Sequence, residues 1–267
     1  MSVPRSWRLR GGKFLESAGL PVTDRAFRYG MAVFETVAVW RGALCLAEAH
    51  VSRMERAAGD AGFLLPEGLL ESLTALFLDS STGLLRIYLT AGDGSPLAVC
   101  RESRCYAIFE EMAFPLPEQI EQGWRLGLSR APIPAVLGGW KTGCYWPHIQ
   151  ALAEAQRNGV NEAIVCNAAG AVVSASMANI FFVIDGRLQT PATICGARDG
   201  AVREWVRARY PAEEVQLAVE DLSRAEECFL TNSRIGIMPV VEIDGRPLPS
   251  RQLGITLAKS YRAEVLG

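Results

Sequence analysis

The sequence predicts an α/β or α+β fold in two domains. Three observations carry this: strand-like and helix-like apolar runs alternate in both halves, a proline-bearing interval separates the halves, and no tandem repeat or low-complexity tract interrupts them. Residues 33–40, VFETVAVW, alternate enough for a strand, and the turn RGAL leads into a second short one. From residue 47 to 62, Ala49, Met54, Ala57, Ala58 and Ala61 share one helical face, and Gly62 ends the helix. PEGLLESLTALFLDS reads as a second helix, with Pro66 near its first turn and Leu69, Leu70, Leu73, Leu76 and Phe77 at helical spacing. The strands LLRIYLT and CYAIFEE complete the first half.

Pro115 and Pro117, then Pro132 and Pro134 beyond the strand WRLGLS, mark a domain junction. The expected division is a small N-terminal α/β domain over residues 1–112, a linker over 113–123 and a larger C-terminal domain over 124–267. The second half predicts a helix over PHIQALAEAQRNG closed by Gly159, then the strands EAIVCN, AVVSAS and NIFFVIDG. After GRLQTP, the glycine-rich lead GARDG opens another helix, followed by EVQLAVE, ECFLTN and IMPVVEIDG as strands and a last helix after Ser250.

Bulk properties narrow the function. The 267 residues, 49% of them hydrophobic, suffice for a substantial core. A net charge of -2, with arginines mixed among acids, gives no basic stripe and argues against nucleic acid as a partner. Cys45, Cys100, Cys105, Cys144, Cys166, Cys195 and Cys228 are scattered without metal-ligand spacing, which predicts reduced thiols and a cytoplasmic protein. No run approaches the ~18 to 20 apolar residues of a membrane span, and no apolar segment follows the basic N-terminus, so no membrane partner is expected.

Lysine is scarce: the chain has three, Lys13, Lys141 and Lys259. Lys141 lies in GGWKTGCYW, where a loop lysine would ordinarily be solvated, yet Trp140, Tyr145 and Trp146 stand close enough in sequence to exclude some water. Partial desolvation frees an amine to act as nucleophile or base, the property that an aldehyde cofactor exploits. Pyridoxal phosphate would also need an anion site, and Gly196 and Gly200 before a helix would let the Ala201 and Val202 N–H groups face one. His50 and His148 have no partner at metal spacing and read as structural, with no metal expected.

Six segments, in order across residues 23–250, resemble the class IV, fold-type IV pyridoxal phosphate enzymes: branched-chain aminotransferase, D-amino acid aminotransferase and 4-amino-4-deoxychorismate lyase. TDRAFRYGMAVFET is similar to the family's D-R-x-x-x-Y-G-D-G-x-F-E-T, AHVSRMERAAGDAGF to its H-x-x-R helix, and KTGCYWPHIQALAEA to its lysine motif. NEAIVCNAAGAVVSASMANIFFVIDGRLQTP resembles its strand pair, GARDGAVRE its G-[IV]-x-R helix start, and ECFLTNSRIGIMPVVEIDGRPL its closing strand, loop and strand.

The resemblance implies a two-domain, D-amino acid aminotransferase-like fold whose larger domain binds pyridoxal 5'-phosphate, in a homodimer acting on a small amino substrate. It assigns Lys141 as the Schiff-base lysine, Arg53 to the cofactor phosphate, Tyr145 beside the cofactor ring, and Ala201, Val202 and Ser233 to the phosphate cradle. Tyr29 and Phe34 match positions lining the substrate pocket, and Asn179 holds a turn.

The sequence also departs from the pattern. Ser174 stands where the family has a glutamate that pairs with the pyridine nitrogen, and a hydroxyl there gives a weaker electron sink than a carboxylate. Met31 and Ala32 replace the Asp-Gly of the Y-G-D-G motif, and Ala91 replaces the arginine that receives a substrate carboxylate in D-amino acid aminotransferases. Arg86, Arg28 and Arg234 are the replacements weighed for that role, with Arg234 first.

A weaker sink handicaps transamination more than elimination, and TNSRIGIMPV resembles the lyase loop pattern N-S-x-x-G-[IV]-x-P-V. The leading expectation is therefore a lyase releasing pyruvate from 4-amino-4-deoxychorismate to form the 4-aminobenzoate of folate biosynthesis. A class IV aminotransferase of a branched-chain, D- or other amino acid is the alternative, and a catalytically degenerate binding protein on the same scaffold is the third reading.

Overall fold

The computed structural model describes residues 4–17, 19–76, 78–133 and 139–267. The chain divides into two compact units, Met1–Phe114 with Trp140–Cys144, and Pro115–Gly139 with Tyr145–Gly267.

The first unit contains β1 (Arg5–Arg10), β2 (Lys13–Glu16), α1 (Arg25–Tyr29), β3 (Ala32–Trp40), β4 (Ala43–Leu44), α2 (Ala47–Ala61), α3 (Leu69–Thr74), β5 (Gly83–Thr90) and β6 (Arg104–Glu111). Its strands form one antiparallel sheet in the order β2-β1-β6-β5-β3-β4. Alternate residues of β3, Val33, Val37 and Val39, join Ile87 and Leu89 of β5 and Met54, Ala57 and Ala58 of α2 in one core. The buried positions of α2, His50, Met54, Ala57 and Ala58, recur at the spacing of a single helical face.

The second unit contains α4 (Pro117–Gln122), β7 (Trp124–Leu128), α5 (Trp146–Arg157), β8 (Glu162–Cys166), β9 (Val172–Ala175), β10 (Asn179–Ile184), β11 (Arg187–Pro191), α6 (Ala201–Arg207), β12 (Glu213–Val215), β13 (Ala225–Asn232), β14 (Gly236–Ile243), β15 (Arg246–Pro247) and α7 (Gln252–Val265). Here the sheet is mixed, in the order β12-β11-β10-β13-β14-β7-β8-β9, with β15 added on β14. The pairs β11–β12, β14–β7 and β7–β8 are parallel, so the unit combines hairpins with crossovers. Gly254, Leu257, Ala258 and Tyr261 bury one face of α7, and Gly254 lets the helix approach Phe229 and Pro239 of the sheet.

The structure corrects several element boundaries. The second helix, expected from Pro66 to Ser80, spans Leu69–Thr74 only, because Gly68 before it is left-handed and Leu76 N–H bonds back to Leu73 in a tightened turn. Phe77 and Pro134 lie outside the described residues. The expected strand EVQLAVE pairs only at Glu213–Val215, after which Glu220–Arg224 forms a 3-10 turn. The β1–β2 hairpin and α1 are additions to the expected elements, and α4 occupies residues expected to be linker. Among the described residues no helix is long and apolar enough to cross a membrane. None of the seven cysteines forms a disulfide.

Gly30 ends α1 with φ +69°, and a Cβ there would lie 2.7 Å from Cys144 Sγ. Gly30→Ala should therefore lower stability by about 1–2 kcal/mol from the left-handed backbone, plus a contact term. In denaturant titration, Cys144→Ala combined with Gly30→Ala should recover the contact term and not the backbone term. Equal stability of Gly30→Ala and the natural protein would contradict this reading.

Candidate functional site

The position of Lys141 follows from an unfilled sheet edge. β5 pairs with β3 along nearly its whole length, whereas β4 covers only Val39 and Trp40 on the other side. The open part of that edge takes residues 141–143: Phe34 N–H donates to Lys141 O at 2.8 Å, Gly143 N–H donates to Ala32 O at 2.9 Å, and Val33 bridges Thr142. An antiparallel register of this kind sets Lys141 opposite Phe34 on one face of the sheet. Lys141 Nζ accordingly sits 4.0 Å from the centroid of the Phe34 ring, a cation–π contact, and Phe34 stacks on Tyr88 at 5.3 Å. Phe34 is thus an aromatic at the amine, while Trp140 packs against the core of its unit and Trp146 is 70% exposed.

The next residue of β3 points to the opposite face, toward α2. Glu35 Oε2 accepts from His50 Nδ1 at 2.7 Å, and Arg53 donates through Nε to Oε1 at 2.6 Å and through Nη2 to Oε2. His50 and Arg53 are three apart on α2 and so reach one carboxylate together. Burial opposes ionisation of Glu35, but the Arg53 charge and the hydrogen bonds from His50 and Arg53 outweigh it and hold the carboxyl at about 2. Burial also pushes His50 down against the pull of Glu35, with the Arg53 and Lys141 charges adding to the depression. The cluster is therefore a neutral imidazole, an ionised carboxylate and a guanidinium fixed in place.

Of the other positions in this unit, Tyr29 ends α1 and is 42% exposed, with the Arg28 guanidinium 4.8 Å from its ring centroid. Arg86 is paired with Glu110.

In the second unit, Ser174 lies on β9 opposite Val165 and is buried, and its hydroxyl has no hydrogen-bond partner among the described residues. The turn after it is fastened from three sides. Glu162 accepts from Ser176 Oγ, Ala163 N and Met177 N; His148 Nδ1 meets Ser176 O at 2.8 Å; and Asn232 Nδ2 donates to Met177 O at 2.9 Å. Burial raises Glu162, and these hydrogen bonds act against the rise. With its oxygens so engaged, Glu162 serves as a turn fastener and does not replace the glutamate missing at Ser174.

Asn232 also accepts from Arg234 N at 2.8 Å and Ile235 N at 2.9 Å, which shapes the loop carrying Ser233 and the exposed Arg234. Asn179 Nδ2 donates to Arg198 O at 2.8 Å and thereby holds the lead into α6. Gly200 is required there, since a Cβ would lie 2.0 Å from Asn179 Oδ1. Ala201 and Val202 open α6 after Gly200, which provides no side-chain cap. Both residues are buried, and their N–H groups, which precede the first intrahelical bond, have no acceptor among the described residues. Tyr145 stacks on His148 at 4.8 Å and accepts from Arg198 Nη1 at 3.1 Å.

The structure thus joins Lys141 with Phe34, and Arg53 with Glu35 and His50, in one unit. In the other it ties the turn after Ser174 to the Ser233 loop, and Tyr145 to the lead before Ala201. Glu35, Glu162 and Arg198 are the participants that sequence reasoning passed over. Their signals were present only as a glutamate within an apolar strand, another at a strand start, and an arginine between glycines. Among the described residues no group of three metal-ligating side chains gathers.

Residues 32–243 match the family model described as amino-transferase class IV. The aminodeoxychorismate lyase of Vibrio harveyi is 28% identical over 93% of this chain and 95% of its own length. A branched-chain aminotransferase structure from Thermoproteus uzoniensis, in complex with norvaline, superposes with a TM-score of 0.85 at 27% identity, covering 98% of this chain and 95% of that one. The 4-amino-4-deoxychorismate lyase structure from Pseudomonas aeruginosa gives 0.83 at 27% identity, covering 98% and 100%. The two structures are of enzymes with different reactions and are equally identical to this chain, so the likeness fixes the scaffold and not the reaction.

The Glu35 cluster yields a stability prediction. Glu35→Gln leaves Arg53 without its counter-charge and should cost about 3 kcal/mol or more in denaturant unfolding. Because the folded value of about 2 lies below the ordinary 4.5, the contribution of Glu35 is fully present above about pH 4.5 and is lost as pH falls toward 2. The variant should therefore show a shallower loss of stability across that window. An unchanged acid-unfolding slope would contradict the assignment.

Proposed function

The chain belongs to the class IV amino-transferases, and from that premise we propose that it is the lyase member, releasing pyruvate from 4-amino-4-deoxychorismate to form 4-aminobenzoate. Enzymes of this family use pyridoxal 5'-phosphate, and residues present here suit it. Ala201 and Val202 are buried and their N–H groups have no acceptor among the described residues, which suits a phosphate, and the Ser174 hydroxyl, likewise without a partner among the described residues, suits a ring nitrogen.

The bound cofactor supplies a sink for the electrons left when a bond to the substrate's α-carbon breaks. Lys141 provides the amine that carries it and then moves the proton at the α-carbon. Arg53, fixed by Glu35, and Ser233 are assigned to the phosphate together with Ala201 and Val202, and Tyr145 to the ring. Tyr29 and Phe34 are assigned to the substrate pocket.

Ser174 is the observation that carries the choice of reaction. Its hydroxyl would donate to a ring nitrogen without protonating it, and would give less carbanion stabilisation than a carboxylate. In the elimination, Lys141 would take the α-proton, the ring C–O bond would break with its electron pair going to the enolpyruvyl oxygen as the ring becomes aromatic, and the enolpyruvate would regain that proton at its methylene carbon to leave as pyruvate. Aromatisation lowers the demand on the sink. Reprotonation at the cofactor carbon, which transamination requires, has no such assistance. The loop from Asn232 to Val240, which resembles the lyase pattern, supports the same choice.

The aminotransferase reading is favoured by the likeness to the Thermoproteus uzoniensis enzyme. The test is holoenzyme with aminodeoxychorismate and no amino acceptor: equal amounts of pyruvate and 4-aminobenzoate are expected. Absence of pyruvate, with conversion of the cofactor to its amine form by amino donors, would select the aminotransferase instead. Ser174→Glu should raise that amine-form conversion by roughly tenfold, the equivalent of about 1.4 kcal/mol in barrier, without a matching rise in pyruvate release.

A further inference from the structure

Three partly buried arginines of this unit, Arg246, Arg262 and Arg198, have no acid beside them among the described residues; Arg246 and Arg262 donate to main-chain carbonyls, of Leu222 and Ala225 and of Pro115, whereas Arg198 rests on two side chains. Its neighbours on the α6 side, Arg203 and Arg207, both pair with Glu204 and Glu214, and Asp199 faces Arg203 at 3.7 Å. No Asp or Glu oxygen among the described residues comes within 4.0 Å of the Arg198 guanidinium. Its side-chain hydrogen bonds go to two neutral groups: Nη1 donates to Tyr145 Oη at 3.1 Å and Nη2 to His148 Nε2 at 2.8 Å.

The neutrality of His148 follows from the two hydrogen bonds of its ring nitrogens to Ser176 and Arg198. Ser176 O only accepts, so Nδ1 carries the proton; Arg198 only donates, so Nε2 is the bare nitrogen. The stacked Tyr145 and His148 rings therefore act as a rigid rest for the guanidinium, whose carbon lies 5.1 Å from the Tyr145 ring centroid. At the other end, Asn179 and Gly200 N–H both hold the Arg198 carbonyl, at 2.8 and 2.9 Å. Backbone and fork are fixed, yet among the described residues only two of the five N–H donors find an acceptor, and neither acceptor is an acid. Arg25 shows the contrast: it is fully buried without an acid, but four backbone carbonyls receive it.

We propose that Arg198 binds the substrate's carboxylate, with Tyr145 and His148 presenting its free donors. A planar fork with spare N–H groups matches the two in-plane oxygens of a carboxylate. The assignment moves this role from Arg234, which is exposed and which among the described residues is anchored through its backbone N–H alone. It rests on the reading of the site as one for an amino substrate bearing a carboxylate, which the lyase and the aminotransferase share.

Calorimetric titration of holoenzyme with pyruvate and, separately, 4-aminobenzoate tests it. Arg198→Met should weaken both by roughly tenfold or more, and Arg198→Lys by less, with cofactor affinity unchanged in each. Arg234→Met should leave both affinities as they are. Arg198→Lys keeps the test decisive if Arg198→Met fails to fold. The proposal is overturned by unaltered carboxylate affinity in the Arg198 variants, by loss confined to Arg234→Met, or by no saturable carboxylate binding in the natural protein. It is equally overturned by a parallel loss of cofactor affinity, which would give the guanidinium to the phosphate. Failure of pyruvate release from aminodeoxychorismate would remove the lyase reading while leaving these titrations intact.

Discussion

The half-open edge of β3 is the constraint on which the first unit's chemistry depends. Because β4 covers only the far end of that strand, main-chain groups from Ala32 to Phe34 remain to be paired, and residues 141–143 pair them. Those hydrogen bonds fix the register, and register decides which face each side chain takes. Lys141 is therefore set over Phe34, while Glu35, one residue on, faces α2 and fixes Arg53. One strand thus orients both a lysine and an arginine, through backbone pairing on one side and a buried carboxylate on the other.

The second unit achieves the same rigidity by polar side chains. Asn179 and Asn232 each join two segments distant in sequence, and Glu162 and His148 fasten the turn between β9 and β10. Every one of these groups is spoken for within the protein. Among the described residues the Ser174 hydroxyl, the Ala201 and Val202 N–H groups and the Arg198 fork keep spare capacity, as do the buried Thr231 Oγ1 and Trp205 Nε1 elsewhere in the unit. Saturated neighbours hold the unsaturated groups still, which is how a site is prepared before a ligand arrives.

Much of this scaffold was legible in the sequence because period and punctuation are local. The α2 face at Met54, Ala57 and Ala58, Gly62 at its end and the β5, β6, β13 and β14 runs all announce themselves within a dozen residues, although Ala49, expected on that face, is exposed and His50 is buried there instead. Lys141 was conspicuous through scarcity. The pairing of Val33 with Thr142 was not legible, since nothing local tells an edge what will cover it. Glu35 was hidden as one polar residue in an apolar strand, and its value emerges only when α2 brings His50 and Arg53 to it. The same holds for Arg198, which in sequence is merely flanked by Gly196 and Gly200. The β1–β2 hairpin was overlooked although Gly11 and Gly12 between two short runs carry a turn signal.

The scarcity of lysine also makes the assignment of the cofactor lysine directly testable. Lys13 is exposed on β2, and Lys259 is an exposed α7 residue near Glu121 at 3.9 Å, so neither shares the setting of Lys141. Borohydride reduction of the holoenzyme followed by peptide mass mapping should place a phosphopyridoxyl group on Lys141 alone. A label on Lys13 or Lys259, or no label on a protein saturated with cofactor, would contradict the account.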